Sequence, residues 1–446
     1  MIINQAIHFR ASKQEQELGR RPRLLFLARQ FPPLKTVACV RTWNIAKYLA
    51  RLAWDVTIVT PQPSVWRHVE CPEATNRQLR DEGIRRILTG HSWRFLEPNL
   101  LKCWNRGPGW AIGGIGREFG RRLGIVSGIG WIKSAERACS TLTPDDVDVI
   151  LASGMPFAAF RLAKRLSDKL HRPYVLDYRD PWTENPYKDR PAQATVIQEE
   201  ARLLADCAAV TIVSPSWREA MDRCYGLGSK LHIVSNGYDP EELTGIELHD
   251  FGHFAIVYTG NFYPPKRVIS PVLAALQRLK TILPGQDSKW RFHYYGGQGD
   301  HVRAEAECFG VTEQVVLHGS VPRSEALAAV KSAGVAVVIT VVADEATMAD
   351  RGMMTAKVFE PLGLGTPILL VAPPGSDVEV LAEATGLAHR FTGSEVAGMA
   401  ACLADLISGQ TVPAKVGDTY AWTNIARRLD AVLREAVDSA LYKQRR

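Results

Sequence analysis

Short apolar runs alternate with longer amphipathic stretches along most of this chain. The runs 24–28, 55–60, 147–152, 174–177 and 210–213 read as buried strands, and 41–52, 158–170 and 195–205 as helices between them. The same grammar starts again with runs at 231–234, 255–259, 290–295, 315–317, 335–340 and 367–371. Helical stretches at 268–283, 323–332, 355–364, 378–383 and 395–408 separate these, and a last helix is expected over 422–441. Strands that are apolar on both faces, alternating with helices, specify parallel sheets covered on each side. The expected fold class is therefore α/β, with two Rossmann-like domains facing across a cleft. The expected limits are a polar tail over 1–23, a first domain over 24–225 and a second over 226–415. A C-terminal segment, 416–446, is expected to pack its helix back on the first domain. The hinge is expected at 224–231.

Composition narrows the picture only a little. A chain of 446 residues is too long for one ordinary core, which agrees with two domains. The net charge of +7 is mild for this length and gives no reason to expect a nucleic-acid partner. Eight cysteines lie scattered without a Cys-x-x-Cys pair, as in a reduced cytoplasmic protein. The longest apolar run, 333–343, has eleven residues, short of the roughly 18 needed to cross a bilayer.

Three stretches could carry chemistry. In the first, Gly352-Met353-Met354-Thr355 leads into a helix bearing Glu360 and ended by Gly363 and Gly365. Amides at such a helix start could receive a diphosphate, and Glu360 could accept from ribose hydroxyls. A helix with one exposed glutamate fits the same residues equally well. In the second, Tyr258-Thr-Gly260-Asn261 ends a strand and leads through a turn to Lys266 and Arg267. A lysine there could face a phosphate, or simply be solvated. The third, Asn236-Gly237-Tyr238-Asp239, is a tight turn by default. Asp146-Val-Asp148 leads into a buried strand and reads as a strand entry, so no metal is expected. Gly296-Gly-Gln-Gly299 lacks the spacing of a dinucleotide-binding loop, so no cofactor is expected either.

Together these stretches resemble the family-4 retaining glycosyltransferases, whose two-domain fold is called GT-B. Asn236-Gly237-Tyr238-Asp239 is similar to the family's Asn-Gly-Val-Asp turn. Gly260 and Lys266 match its Gly-Arg-x(4)-Lys donor-phosphate loop in spacing, with Asn261 at the arginine position. Of the family's two glutamates eight residues apart, the second matches Glu360 and the first falls on Gly352. Gln30-Phe31-Pro32-Pro33 and Asp177-Tyr-Arg179-Asp180-Pro-Trp resemble motifs of bacterial surface-polysaccharide transferases, although Lys35-Thr-Val37 replaces the usual glycine pair. The resemblance implies a nucleoside diphosphate sugar, UDP- or GDP-linked, held by Gly260, Asn261, Lys266, Gly352, Met353, Met354, Thr355 and Glu360. It implies an acceptor held by Phe31, Pro32, Pro33, Lys35, Asp177 and Arg179, with Asp180 and Lys266 nearest the reaction. An ion pair between Asp177 and Arg179 that staples the loop is the plainer account of those two residues.

Residues 93–137 carry eight basic and three acidic side chains, with Trp93, Trp104, Trp110 and Trp131 among them. That mixture suits an anionic membrane surface and so a polyprenyl-linked or otherwise membrane-anchored glycan acceptor, reached from the inner face. It suits equally a surface excursion with its tryptophans in the core. Two other functions remain open at this stage: a transferase-like binding protein without catalysis, and a sugar-nucleotide epimerase on the same fold.

Overall fold

The computed structural model describes residues 19–66, 69–92, 128–185, 192–410 and 417–444. Within them the chain forms two compact units. One takes the residues up to Val213, with Arg218–Ser235 and the chain from Thr423 onward; the other takes Ser214–Trp217 and Asn236–Trp422.

In the first unit, β1 (Arg23–Leu27), β2 (Asp55–Pro61), β3 (Arg85–Thr89), β4 (Val149–Gly154), β5 (Tyr174–Tyr178), β6 (Ala209–Ile212) and β7 (Leu231–Ile233) form one sheet. Its order is β3-β2-β1-β4-β5-β6-β7, and every neighbouring pair is parallel. Leu24 pairs with Val56 on one side and Val149 on the other, which places β1 between β2 and β4. The helix Ala158–Leu170 shows how the sequence pattern becomes packing. Ala159, Leu162, Ala163, Leu166 and Leu170 recur at helical spacing and are all buried. It stops at His171, whose φ of 52° is left-handed.

The run 231–234 does not open the second domain. Leu231–Ile233 pairs with β6 as the edge of the first sheet, and the second unit resumes at Asn236. The last helix, Trp422–Gln444, also belongs largely to the first unit. Ile425, Leu429 and Leu433 bury one stripe of it. Asp430 accepts from Trp54 Nε1 at 2.6 Å and from Arg434 Nε at 2.7 Å, and Arg434 also donates to the Leu52 carbonyl at 3.0 Å. Both charges are buried, so each satisfies the other where water is excluded.

The second unit repeats the plan with β8 (Phe254–Thr259), β9 (Trp290–Tyr295), β10 (Val315–Gly319), β11 (Val335–Ile339), β12 (Ile368–Val371) and β13 (Ala388–Phe391). Its order, β10-β9-β8-β11-β12-β13, is the same progression of strands as β3 to β6 of the first sheet. The helix Ser270–Ile282 covers one face through Val272, Leu273, Leu276 and Leu279, packed with Trp290, Phe292 and Tyr294. In each sheet the order reverses beside the first strand, between β1 and β4 and between β8 and β11. Loops leave in opposite directions there, and a crevice opens at the strand C-termini.

An unusual polar chain crosses the β8–β10 side of the second sheet. His253 Nε2 lies 2.8 Å from His293 Nε2, and His293 Nδ1 lies 2.9 Å from His318 Nε2. A neutral imidazole has one N–H and one lone pair, so an uncharged His293 donates across one contact and accepts across the other. Burial, with the neighbouring His318, His253, His249 and Arg291, pushes its pKa down to about 3.

Two sequence expectations fall on residues beyond those described. The tail 1–23 is described only from Gly19, and the segment 93–137 only from Gly128. Of its four tryptophans the structure describes Trp131, which is fully buried and donates from Nε1 to Thr89 Oγ1 at 2.8 Å. That ring is core and not lipid contact. Among the described residues no helix is long and apolar enough to cross a membrane.

Candidate functional site

The crevice of the second unit is built on the end of β8. Gly260 follows the strand with φ at 107°, a conformation that costs glycine little and a side-chain-bearing residue much. Its amide donates to the Tyr295 carbonyl at 2.6 Å. The chain then folds back on itself, with the Tyr263 amide on the Arg267 carbonyl at 2.8 Å and the reverse bond at 3.0 Å. Phe262 anchors the turn by stacking on Tyr258, ring centroids 4.6 Å apart. The result brings Lys266 and Arg267 beside the strand end.

Lys266 Nζ donates to Asp350 Oδ1 at 2.6 Å, and Asp350 is buried. The other oxygen of Asp350 accepts from Thr347 Oγ1 at 2.7 Å, which caps the turn Met348–Arg351. The lysine that the family resemblance assigns to the donor phosphate is therefore held by a carboxylate of its own unit.

Gly352 stands where the family has its first glutamate, and the structure gives a steric reason. A Cβ at Gly352 would lie 2.1 Å from the Trp217 ring, whose Nε1 donates to the Ala349 carbonyl at 2.7 Å. No side chain fits, and the indole covers the Gly352 backbone. Met353 is buried too, and its amide is taken by the Asp350 carbonyl at 3.1 Å. Met354 is half-buried against the apolar cluster around Phe359 and Leu370.

The helix expected from Thr355 is a short 3-10 turn, Ala356–Val358, followed by six helical residues, Phe359–Leu364. The Val358 amide bonds the Thr355 carbonyl at 3.3 Å, and the Lys357 amide faces Thr355 Oγ1 at 3.5 Å. So Gly352, Met353 and the first helical turn offer a diphosphate less than the sequence reading expects: the amides of Met353, Lys357 and Val358 serve the chain itself, and Trp217 covers Gly352.

Glu360 accepts from Arg323 Nη1 at 2.6 Å, and Arg323 Nη2 reaches Glu242 at 2.9 Å. This triad fixes the carboxylate on a side chain that leaves the loop after β10. Two residues that sequence reading passed over stand out here: Arg323, and Lys357 three positions before Glu360. The Lys357 ammonium donates to the Thr259 carbonyl and sits 5.4 Å over the Tyr258 ring. Burial, with Arg267 beside it, pushes its pKa down to about 8, although Glu360 pulls the other way. The only sequence signal for it is a lysine inside the otherwise apolar Ala356-Lys-Val-Phe stretch.

The first unit places the remaining expected residues around the ends of β1, β4 and β5. Asp177 is wholly buried and not paired with Arg179 as the stapling account expects. It accepts from Arg41 Nη2 at 2.6 Å, Arg41 Nε at 3.1 Å, Ser153 at 2.8 Å and Thr211 at 2.8 Å. Burial alone would raise its pKa, but the Arg41 guanidinium outweighs it and holds the group below the usual carboxylate range. Arg41 also donates to the Val234 and Ser235 carbonyls, both at 2.9 Å. Arg179 instead donates to the carbonyls of Gly154 at 2.6 Å and Met155 at 2.7 Å.

Phe31 is buried, Pro32 half-buried and Pro33 buried, while Lys35 is exposed and lies 3.6 Å from Glu70. Phe31 and Asp177 are therefore buried, and the carboxylate of Asp177 is taken by Arg41, Ser153 and Thr211. Asp180 follows Arg179 on the loop after β5 and is partly exposed. Trp182 of the same loop stacks on Phe157, centroids 4.9 Å apart. The Thr183 amide donates to buried Glu200 at 3.2 Å. The structure thus brings Gly260, Asn261 and Lys266 to one strand end, with Glu360 following Lys357 on the segment that packs there.

Residues 40–242 match the family model of Glycosyltransferase Family 4. The N-terminal half resembles that family. Solved structures similar to the whole chain share its architecture. Sucrose-phosphate synthase from Thermosynechococcus elongatus is 13% identical over 95% of this chain and 98% of its own, with a TM-score of 0.60. Anabaena Alr3699/HepE in complex with UDP and glucose is 13% identical over 95% and 98%, TM-score 0.54. A trehalose-6-phosphate structure from E. coli bound with UDP-2-fluoro glucose is 12% identical over 95% and 98%, TM-score 0.56. At these identities the likeness establishes the fold, two Rossmann-like parallel-sheet units of the GT-B type. No curated protein matches the sequence. The family match covers β2 to β7 and leaves the sheet of the second unit, where the basic strand end lies, to be read from its own geometry.

Proposed function

We propose that this family-4-like protein transfers a hexose-type sugar from a nucleoside diphosphate to an acceptor hydroxyl, with retention at the anomeric carbon. The observation that supports this most is the cluster of Lys266, Arg267 and Lys357 at the C-terminal end of β8, beside the point where the strand order reverses. Cations there suit a diphosphate and stabilise it as it departs. Glu360, fixed by Arg323, suits the ribose hydroxyls. UDP in the Anabaena structure and UDP-2-fluoro glucose in the E. coli structure favour a UDP-linked donor, with GDP as the other choice.

Acceptor binding falls to the first unit, through Lys35, Asp180 and the loop around Pro32. A polyprenyl-linked or other membrane-anchored glycan at the inner membrane face, within cell-surface polysaccharide or glycolipid assembly, is the acceptor we favour. The basic sequence 93–137, with Trp93, Trp104 and Trp110 but not the buried Trp131, would supply contact with anionic lipid.

A thermal-shift screen of UDP- and GDP-sugars tests the donor first. A ligand at 100 times its dissociation constant adds about 2.7 kcal/mol of stability. Incubation of the stabilising donor with lipid-linked acceptors then gives a product whose anomeric configuration is read by NMR. Stabilisation without product would point to a binding protein, a modified sugar without acceptor to an epimerase, and an inverted product would remove the retaining reading.

A further inference from the structure

The proposal concerns the side chain that supplies the charge to the anion site, and it rests on the donor reading above. Lys266 is neutralised by Asp350, 2.6 Å away. Lys357 is in the opposite situation. Among the described residues its ammonium has one hydrogen bond, to the Thr259 carbonyl, and no carboxylate within salt-bridge distance. An ammonium has three donors, so two are left over in a half-buried place where an uncompensated cation is costly. The strand end around it adds a second positive charge from Arg267.

Gly260 shows that the location is built for this group. A Cβ on Gly260 would lie 1.3 Å from Lys357 Nζ and 2.5 Å from its Cε. The loop therefore leaves out a side chain at the one point where the ammonium passes beneath it. The ammonium sits 5.4 Å over the Tyr258 ring and bonds the carbonyl of Thr259, the last residue of β8, at the strand beside which the order reverses toward β11.

We propose that Lys357, and not Lys266, is the principal cation for the donor diphosphate, reaching it beneath the Gly260 loop. The half-buried ammonium gains an anion as its counter-charge, and the two spare N–H groups gain acceptors. Because the free ammonium titrates near pH 8, the protonated form that binds an anion is depleted above that pH. Below it the ammonium is charged and ready.

The test measures affinity for UDP, GDP and inorganic pyrophosphate by isothermal titration in the wild type, Lys357→Met, Lys266→Met and Gly260→Ala. Lys357→Met is expected to lose roughly ten- to hundredfold in affinity for all anions that the wild type binds. Gly260→Ala keeps the lysine but displaces its tip, and is expected to lose a similar factor. Lys266→Met is expected to lose less than either. Wild-type affinity is expected to fall as pH rises from 8 to 9.5, and Lys357→Met to be flat over that range. Wild-type-like binding by Lys357→Met, or a larger loss in Lys266→Met, overturns the assignment while leaving the donor reading in place. Failure of the wild type to bind any of the three probes overturns both.

Discussion

Asp177 is the most heavily committed carboxylate in the first unit. Its two oxygens gather Arg41, Ser153 and Thr211, and Arg41 passes the connection on to the backbone beyond β7. Replacing it with asparagine strands the guanidinium in the core. Loss of one member of a buried pair costs about 3–5 kcal/mol. Asp177→Asn should therefore lower the urea midpoint markedly, and an unchanged midpoint would refute the account. The pH sign follows from the depressed pKa. An unfolded carboxyl takes up its proton near its ordinary pKa and the folded one only below it. The stabilisation is present above the unfolded pKa and is lost as pH falls through the folded one.

Gly352 makes a second residue-scale prediction. Restoring the family's glutamate as Gly352→Glu would drive a Cβ into Trp217. Overpacking of this kind costs about 1–3 kcal/mol, so a fall in melting temperature is expected and a gain in donor affinity is not. Neither fact was legible in the sequence. Trp217 is remote from Gly352 along the chain, and Arg41 shares no motif with Asp177. The Asp177-Tyr-Arg179 spacing invited a local ion pair, but Arg41 on a separate helix supplies the bidentate partner. Lys357 was hidden for a different reason: its function depends on which strand end its tip reaches, and spacing does not show that.

At the scale of elements, the strands buried on both faces were readable because they are continuous apolar runs. The central strands Val149–Gly154 and Val335–Ile339 are buried at every position. Of the four edge strands, β3 and β13 were not readable. Arg85–Thr89 carries two arginines, Ala388–Phe391 has a histidine and an arginine in four residues, and both are mostly half-exposed. The helix Pro72–Asp81 buries only Thr75 and Leu79, too little apolar periodicity to declare itself.

The imidazole chain is itself an element-scale feature, since it joins the approach to β8 with β9 and β10. It is faced by His249, Arg291 and, from the helix Arg323–Lys331, Glu325. The folded pKa of His293 is about 3 and the ordinary value is 6.5. The unfolded chain therefore takes up a proton first as pH falls. Stability should decline from about pH 6.5 toward about pH 3, the reverse of a histidine that gains a carboxylate partner. Urea midpoints at pH 7.5 and 5 are expected to differ more in the wild type than in His293→Phe. Equal differences would show that protonation elsewhere sets the slope.

At the scale of the whole molecule, the repeated alternation of strands and helices was the part most legible in the sequence, and the path of the chain between units was the least. The apolar run at 231–234 fits either sheet by pattern alone, and only its pairing with β6 assigns it. The last helix read correctly as a helix, while the buried Asp430–Arg434 pair that seats it beside Trp54 had no sequence signature. Removing residues 423–446 should uncover the surface that Ile425, Leu429 and Leu433 occupy. Limited proteolysis of that truncated chain is expected to cut within the first unit while 236–422 persists. Equal resistance of both would mean that the helix is dispensable.

The return of the last helix bears on how the protein is made. Trp54 and Asp430 are 376 positions apart, yet one is the hydrogen-bond partner of the other in the first unit. At about 5–20 residues per second of ribosomal elongation, the early half of that unit waits roughly 20–75 s for its closing element. The second unit, apart from Ser214–Trp217, is synthesised in one stretch between the two. Vectorial synthesis thus delivers the interior module whole before the module that began first, and a nascent chain stalled ahead of residue 423 would expose the Trp54 surface to chaperones.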